Sequence, residues 1–287
     1  MSESTTVTRR TFLELTGAAS LAWALGADLR GAARIPLAVQ LYSVRRDAAQ
    51  DFDAALEQVA AMGFEGVEFA GYYHYAGKGP ELRKRLDALK IQAAGTHIGL
   101  DTLLGDRFQP TVDFHQAIGC RFLVVPGHDD FTNPDKAKAL ADTFNELAAR
   151  LKPLGMATGY HNHTEEFRKK DGDKTFWDLF AERTSKDVIL QQDCGWTFAA
   201  GYDPVAYIKK YPGRTKTTHF KPTVREGDAG KKAILGQDAV DWAAVYAACA
   251  SAGGTEWVVV EQETYPDGKT PMACTRESLA GLRAVIK

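Results

Sequence analysis

From Ile35 to the C-terminus the chain alternates short apolar runs with amphipathic stretches, and it does so eight times. The apolar runs are "IPLAVQLY", "FEGVEFA", "IQAAGTHIGL", "CRFLVVPG", "GMATGYHNH", "DVILQQDCG", "RTKTTHFKP" and "EWVVVEQET". Between them lie segments with helical spacing and helical punctuation. Phe52, Leu56 and Val59 recur on one face before Gly63 ends the helix, and "PELRKRLDALK" carries Pro80 in its first turn. "DPVAYIKKY" opens with Asp203 as a cap and Pro204 at the first helical position. Further helices are expected around Val112 to Ile118, from Asp135 to Lys152, and over "FWDLFAER", "AVDWAAVYAACASAG" and "CTRESLAGLRAVIK". A strand followed by a helix pairs with its successor in parallel, through a right-handed crossover. Eight such units in about 250 residues predict a single α/β domain, a (β/α)8 TIM barrel. An open doubly wound sheet is the alternative, but no GxGxxG follows the first strand to support a dinucleotide site.

The first thirty-odd residues follow a different logic. "TRRTFLEL" followed by "TGAASLAWALGA" sets Arg9 and Arg10 before an uncharged apolar segment ending in small residues. That order predicts a twin-arginine export signal over residues 1–33 and a periplasmic or otherwise exported catalytic barrel over 34–287. An amphipathic N-terminal helix is the other reading, and the segment is too short and interrupted for a stable membrane span. A formal net charge of -2 and a pI near 6.4 give no long-range attraction for nucleic acid, so a small neutral ligand is expected. Cys120, Cys194, Cys249 and Cys274 form no CxxC pair, which argues against a zinc ribbon or a redox motif; they read as small core residues. None of these patterns sets an oligomeric state.

In a barrel of this kind the active site lies at the carboxyl ends of the strands. There "GYHNHTEEF" places His161 and His163 two apart, on one face, with Asn162 turned away and Glu165 and Glu166 in the following loop. Glu68, His97, Asp193, His219 and Glu261 each stand at another strand end. Singly, such residues are satisfied core histidines or helix caps. Converging at one rim, they would repel or stay unpaired unless a cation or a substrate joined them. Mixed oxygen and nitrogen donors suit a divalent Mn, Zn, Co or Mg ion. Cys194 should face the opposite side from Asp193.

At these residues the chain from Ile35 onward resembles the xylose isomerase-like superfamily of sugar isomerases and epimerases, which includes ketose 3-epimerases and inosose dehydratase. The resemblance is carried by "VQLYSVR", "GFEGVEF", "THIGL", "YHNHTEEF", "LQQDCGW", "TTHFKP" and "VVVEQE". It implies a divalent metal held by Asp193, His219 and Glu261 on strands six to eight. The superfamily's usual first ligand is a Glu at the end of strand five, where this chain has His161. His161 is the favoured fourth ligand, and Glu166 folding back is the alternative. Ketose epimerases of this superfamily use two opposed metal-bound glutamates, so the departure removes one partner of a symmetric exchange and leaves one-base isomerisation or dehydration open.

The implied reaction is removal of a proton next to the carbonyl of an unphosphorylated sugar or keto sugar, the metal stabilising the charge that develops. Glu261, His163 and Glu166 are the candidate bases, and Lys221 would offset the oxyanion. Tyr42, Glu68, His97, Trp196 and Phe220 are read as substrate-binding, by hydroxyl contacts or by stacking. The loop "REGDAGKKAILGQ" is expected to close over the site. A metal-dependent isomerase or epimerase is the first reading and a lyase or hydratase of 3-keto sugars, glycosides or cyclitols the second. A non-enzymatic sugar-binding protein and an abasic-site endonuclease rank below both.

Overall fold

The structure, a computed structural model, describes residues 34–286. The export segment expected over residues 1–33 lies outside the described residues. Eight parallel strands are present: β1 (Leu37–Gln40), β2 (Gly66–Phe69), β3 (Gln92–His97), β4 (Phe122–Val125), β5 (Ala157–His161), β6 (Ile189–Gln191), β7 (Thr217–Phe220) and β8 (Trp257–Val260). They pair in the order β6-β5-β4-β3-β2-β1-β8-β7. The outer two strands meet at a parallel bridge between Asp193 and His219, where His219 N–H donates to the Gln192 carbonyl at 2.9 Å. This closes the seam and makes the fold a (β/α)8 barrel.

Local chemistry sets where the elements begin and end. The first apolar run reads as strand through Tyr42, but β1 stops at Gln40, whose side-chain oxygen accepts from Tyr42 N–H at 3.1 Å and turns the chain into a short 3-10 segment, Leu41–Val44. Asp51 caps the helix Phe52–Met62 by accepting from Ala54 N–H at 3.0 Å, and Gly63, at φ 92°, ends it in the left-handed region. Asp203 caps Pro204–Lys210 in the same way, accepting from Val205 N–H at 2.9 Å. Among the described residues no helix is long and apolar enough to cross a membrane.

Strand alternation sorts the core into two parts. Leu37, Val39, Val67, Leu123, Val125, Tyr160, Leu190, Val258 and Val260 join the helices in the large outer core. Ala38, Ala94, Phe122, Ile189, Trp257 and Val259 form a separate apolar cluster of barrel-strand residues. Two residues further along their strands, on the same inward parity, come Gln40 after Ala38, Gln191 after Ile189 and Glu261 after Val259. The lumen is thus apolar at its base and polar toward the carboxyl end. The four cysteines are free and buried, with Cys194 in the outer core as its parity predicts.

Two expectations are corrected at this level. Phe220 is fully buried and stacks on Trp242, ring centroids 4.8 Å apart, in the outer core. It follows inward-facing His219, so strand alternation turns it away from any substrate. The loop Arg225 to Gln237 is not a free lid. Leu235 is fully buried with its N–H on Ser278 Oγ at 3.2 Å, and the Ala233 carbonyl accepts from Gln262 Nε2 at 2.7 Å.

Candidate active site

His161 closes β5, Asp193 follows β6, His219 lies in β7 and Glu261 follows β8. Their ligand-type atoms all lie within 4.8 Å of one another and all four residues are buried. His97, at the end of β3, forms a second such group with His161 and His219. Its ring stacks on that of His219 with centroids 5.1 Å apart and planes 8° from parallel.

Burial and mutual contact shift the titration of every member of this group. Burial pushes the Asp193 carboxyl up to about 7, against the pull of Lys221. Its Oδ1 accepts from Trp196 N–H at 2.8 Å and caps Cys194–Ala199, but Oδ2 is buried without a hydrogen-bond partner, 4.0 Å from His161 Nε2. Burial likewise raises the cost of ionising Glu261, yet Lys221 and His219 outweigh it and hold its pKa well below the usual carboxylate range. Burial alone would lower His219, but Glu68 and Glu261 outweigh it and lift the imidazole to about 10. Burial, reinforced by the neighbouring histidines, drives His161 well below its ordinary value, so it presents a neutral ring. An orphaned carboxylate oxygen facing a neutral imidazole, with another His–Glu pair beside them at 3.0 Å, fits a divalent cation.

Beneath this group the barrel holds a polar layer that was not anticipated. Glu68 has no exposure and both its oxygens are taken: Oε2 by Gln40 Nε2 at 2.8 Å and His219 Nε2 at 2.5 Å, Oε1 by Gln191 Nε2 at 2.7 Å. Glu68 therefore does not meet substrate directly, contrary to its expected role. Gln191 also contacts Thr217, His97 and His161. Period-two spacing was the signal that could have found it, since Gln191 precedes Asp193 by two on the same inward face.

The remaining predicted residues divide. His163 lies beside His161, ring centroids 5.0 Å apart, and 6.0 Å from the Trp196 ring. Burial, then Lys221, lowers its pKa to about 4. Glu166 sits elsewhere: its oxygens face His163 N–H at 2.7 Å and Tyr160 Oη at 3.4 Å, so it anchors the backbone of His163 and is not in the metal-type group. Lys221 is buried, pairs with Glu263, and lies 3.7 Å from Glu261 Oε2 and 4.4 Å from the centroid of Trp196. Tyr42 is exposed with Arg45 over its ring at 4.0 Å. A cavity of about 550 Å³, lined by His97, Tyr72, Ile98, Pro110 and Phe114 among others, adjoins the group through His97.

Fold and site together define a (β/α)8 barrel with a buried imidazole and carboxylate group suited to a divalent ion at its mouth. The chain belongs to the xylose isomerase-like TIM barrel family, whose profile matches residues 56–285. It is 26% identical over 262 residues to an inosose dehydratase of Lacticaseibacillus casei, covering 77% of this chain and 85% of that protein. It is 23% identical over 270 residues to the rhizopine catabolism protein MocC of Rhizobium meliloti, covering 81% and 82%. Among solved structures, a sugar phosphate isomerase/epimerase of Parabacteroides distasonis superposes with a TM-score of 0.70 at 26% identity, covering 86% of this chain and 96% of that one. An L-ribulose 3-epimerase superposes at 0.64 and 14% identity, covering 88% and 94%, a likeness of fold.

Proposed function

We propose that this chain is a divalent-metal-dependent lyase, which removes the proton next to the carbonyl of an unphosphorylated keto sugar or cyclitol and expels the oxygen substituent one carbon further on. The observation that carries this reading is the strand-five position. It offers the imidazole of His161, and the nearby Glu166 is committed to His163 N–H and Tyr160. A symmetric exchange between two opposed glutamates therefore lacks one partner, while removal and return of a proton on a single face remains open. The similarity to inosose dehydratases over 77% of the chain supports dehydration over epimerisation.

His161, Asp193, His219 and Glu261 would hold the ion, which when bound would polarise the substrate carbonyl and stabilise the negative charge that develops. The chain's own groups supply the proton transfer. His163 is neutral at physiological pH and its backbone is fixed by Glu166, so its ring can accept the α-proton. A conjugate acid with a pKa near 4 is a strong proton donor, ready to deliver that proton to the leaving oxygen. The C–H electron pair becomes the new C=C bond, the C–O bond breaks, and water or an alcohol departs. Lys221, 3.7 Å from Glu261 Oε2, would offset the negative charge. Trp196, beneath Lys221, and His97 border the group, and the cavity that adjoins it through His97 has room for a ring substituent. Arg9 and Arg10 support export of this enzyme by the twin-arginine route.

The isomerase and epimerase reading differs in one step, return of the proton to carbon. Incubation of the metal-loaded protein in heavy water with inososes and keto sugars, followed by NMR, separates the two. An unsaturated carbonyl product with loss of a hydroxyl supports the lyase. A deuterated sugar that retains every hydroxyl replaces it with the isomerase, and no α-proton exchange with any of these substrates overturns both.

A further inference from the structure

We propose that Glu68 dictates which ring nitrogen His219 presents to the cation by direct contact, and which nitrogen His161 presents through Gln191, making Glu68 and Gln191 positioning groups for the metal. This rests on the metal site of the proposed function and follows from counting donors and acceptors.

Glu68 has no exposure, and its surroundings supply donors: Gln40 Nε2 at 2.8 Å, Gln191 Nε2 at 2.7 Å and His219 Nε2 at 2.5 Å, with His97 Nε2 at 3.2 Å. A carboxylate ringed by donors accepts, so the Gln40, Gln191 and His219 nitrogens each carry a hydrogen toward it, while His97 Nε2 lies nearby with its hydrogen on the Gln191 oxygen. The Gln191 amide is thereby oriented, its NH2 on Glu68 and on Thr217 Oγ1 at 2.6 Å. Its oxygen must face the other way, where it meets His97 Nε2 at 2.6 Å and His161 Nδ1 at 3.0 Å. An amide oxygen only accepts, so both imidazole nitrogens there are protonated.

The consequences differ for the two ligands. His161, protonated at Nδ1, keeps its lone pair on Nε2, the atom 4.0 Å from the orphaned Asp193 oxygen. His219, whose Nε2 proton is held by Glu68, would give up its other proton, on Nδ1 3.0 Å from Glu261, when a cation binds there. The two rings therefore offer opposite nitrogens to one place, and a single carboxylate one layer down sets both. A ligating histidine whose other nitrogen donates to a carboxylate or carbonyl is held in one tautomer, and removing such a partner costs about 10–100-fold in metal affinity.

Replacing Glu68 by Gln breaks the count. One amide NH2 would oppose the donors already there, and Gln191 could answer by flipping, which turns NH2 toward His161 Nδ1 and moves the ring proton to Nε2, facing the cation.

The test uses the full chain labelled with 15N-histidine and loaded with 113Cd²⁺. One-bond cadmium–nitrogen coupling is expected at His161 Nε2 and His219 Nδ1. Coupling at His161 Nδ1 or His219 Nε2 overturns this inference while leaving the metal site standing. No retained cadmium and no coupling to either histidine overturns the metal site as well. E68Q, checked for an unchanged thermal melt, should bind Mn²⁺ about 10–100-fold more weakly by titration calorimetry. Equal affinity in the folded variant overturns the role of Glu68.

Discussion

The Oδ2 of Asp193 and the Nε2 of His161 face each other 4.0 Å apart, both residues buried, and the carboxylate oxygen has no hydrogen-bond partner. No hydrogen bond in the protein satisfies that oxygen, so Asp193→Asn should act oppositely on two measurements. The amide keeps an oxygen for Trp196 N–H, now 2.8 Å from Asp193 Oδ1, and can donate toward His161, so the metal-free protein should melt at an equal or higher temperature. Affinity for Mn²⁺ should fall by at least about 10-fold, as for loss of a ligand or its support. A variant that melts lower and binds Mn²⁺ normally would show that Asp193 is only a helix cap.

The choice between His161 and Glu166 as fourth ligand is open to direct measurement. Glu166 contacts His163 N–H at 2.7 Å and lies outside the group whose atoms fall within 4.8 Å. Glu166→Gln should therefore keep stoichiometric metal and slow turnover by loosening His163. His161→Ala should lose metal and turnover together. The reverse pattern, metal lost with Glu166 and kept without His161, would reassign the ligand.

The barrel was legible because strand alternation and helical spacing are local, and eight repeats of them admit few topologies. Asp193, His219 and Glu261 were legible for the same reason: each ends an apolar run on the inward parity. Depth inside the barrel was not. Glu68 precedes the end of β2 by one residue and has the right parity, yet it lies beneath the mouth, because strand stagger is fixed only when the whole barrel closes. The burial of Phe220 and of the loop carrying Ile234 and Leu235 is legible in the sequence. Phe220 alternates with His219, and two adjacent aliphatic residues in a charged loop mark an anchored segment.

Acid stability should report on His115. This residue is buried, with Nδ1 at 2.6 Å from the Thr111 carbonyl and Nε2 at 2.8 Å from Tyr72 Oη, and burial lowers its pKa from 6.5 to about 4. The unfolded chain therefore binds a proton at a pH where the folded chain does not. Its contribution to stability is complete above pH 6.5 and is lost as pH falls toward 4, by up to about 3 kcal/mol. Melting curves from pH 8 to 4.5 should show a steeper acid loss for the parent chain than for His115→Gln, and parallel curves would remove His115 as the cause.

Arg9→Lys combined with Arg10→Lys should leave the full chain in the cytoplasm of an expressing bacterium, as read by cell fractionation. Unchanged export would contradict a twin-arginine signal.

Lys221 offers a prediction in which affinity and rate move in opposite directions. Its ammonium lies 3.7 Å from Glu261 Oε2 and pairs with Glu263 over the face of Trp196. A cation bound by Glu261 would feel repulsion from this charge, so Lys221→Met should tighten Mn²⁺ binding. If the ammonium also offsets the negative charge that develops on the substrate oxygen, the same substitution should lower kcat by about 10²-fold, the cost typical of removing one such donor. Removing the partner alone, by Glu263→Gln, should leave the ammonium in place and cost less. General damage to the barrel would weaken metal and slow turnover together, and a solvated structural lysine would change neither. Only a slower enzyme with firmer metal assigns Lys221 to the reaction.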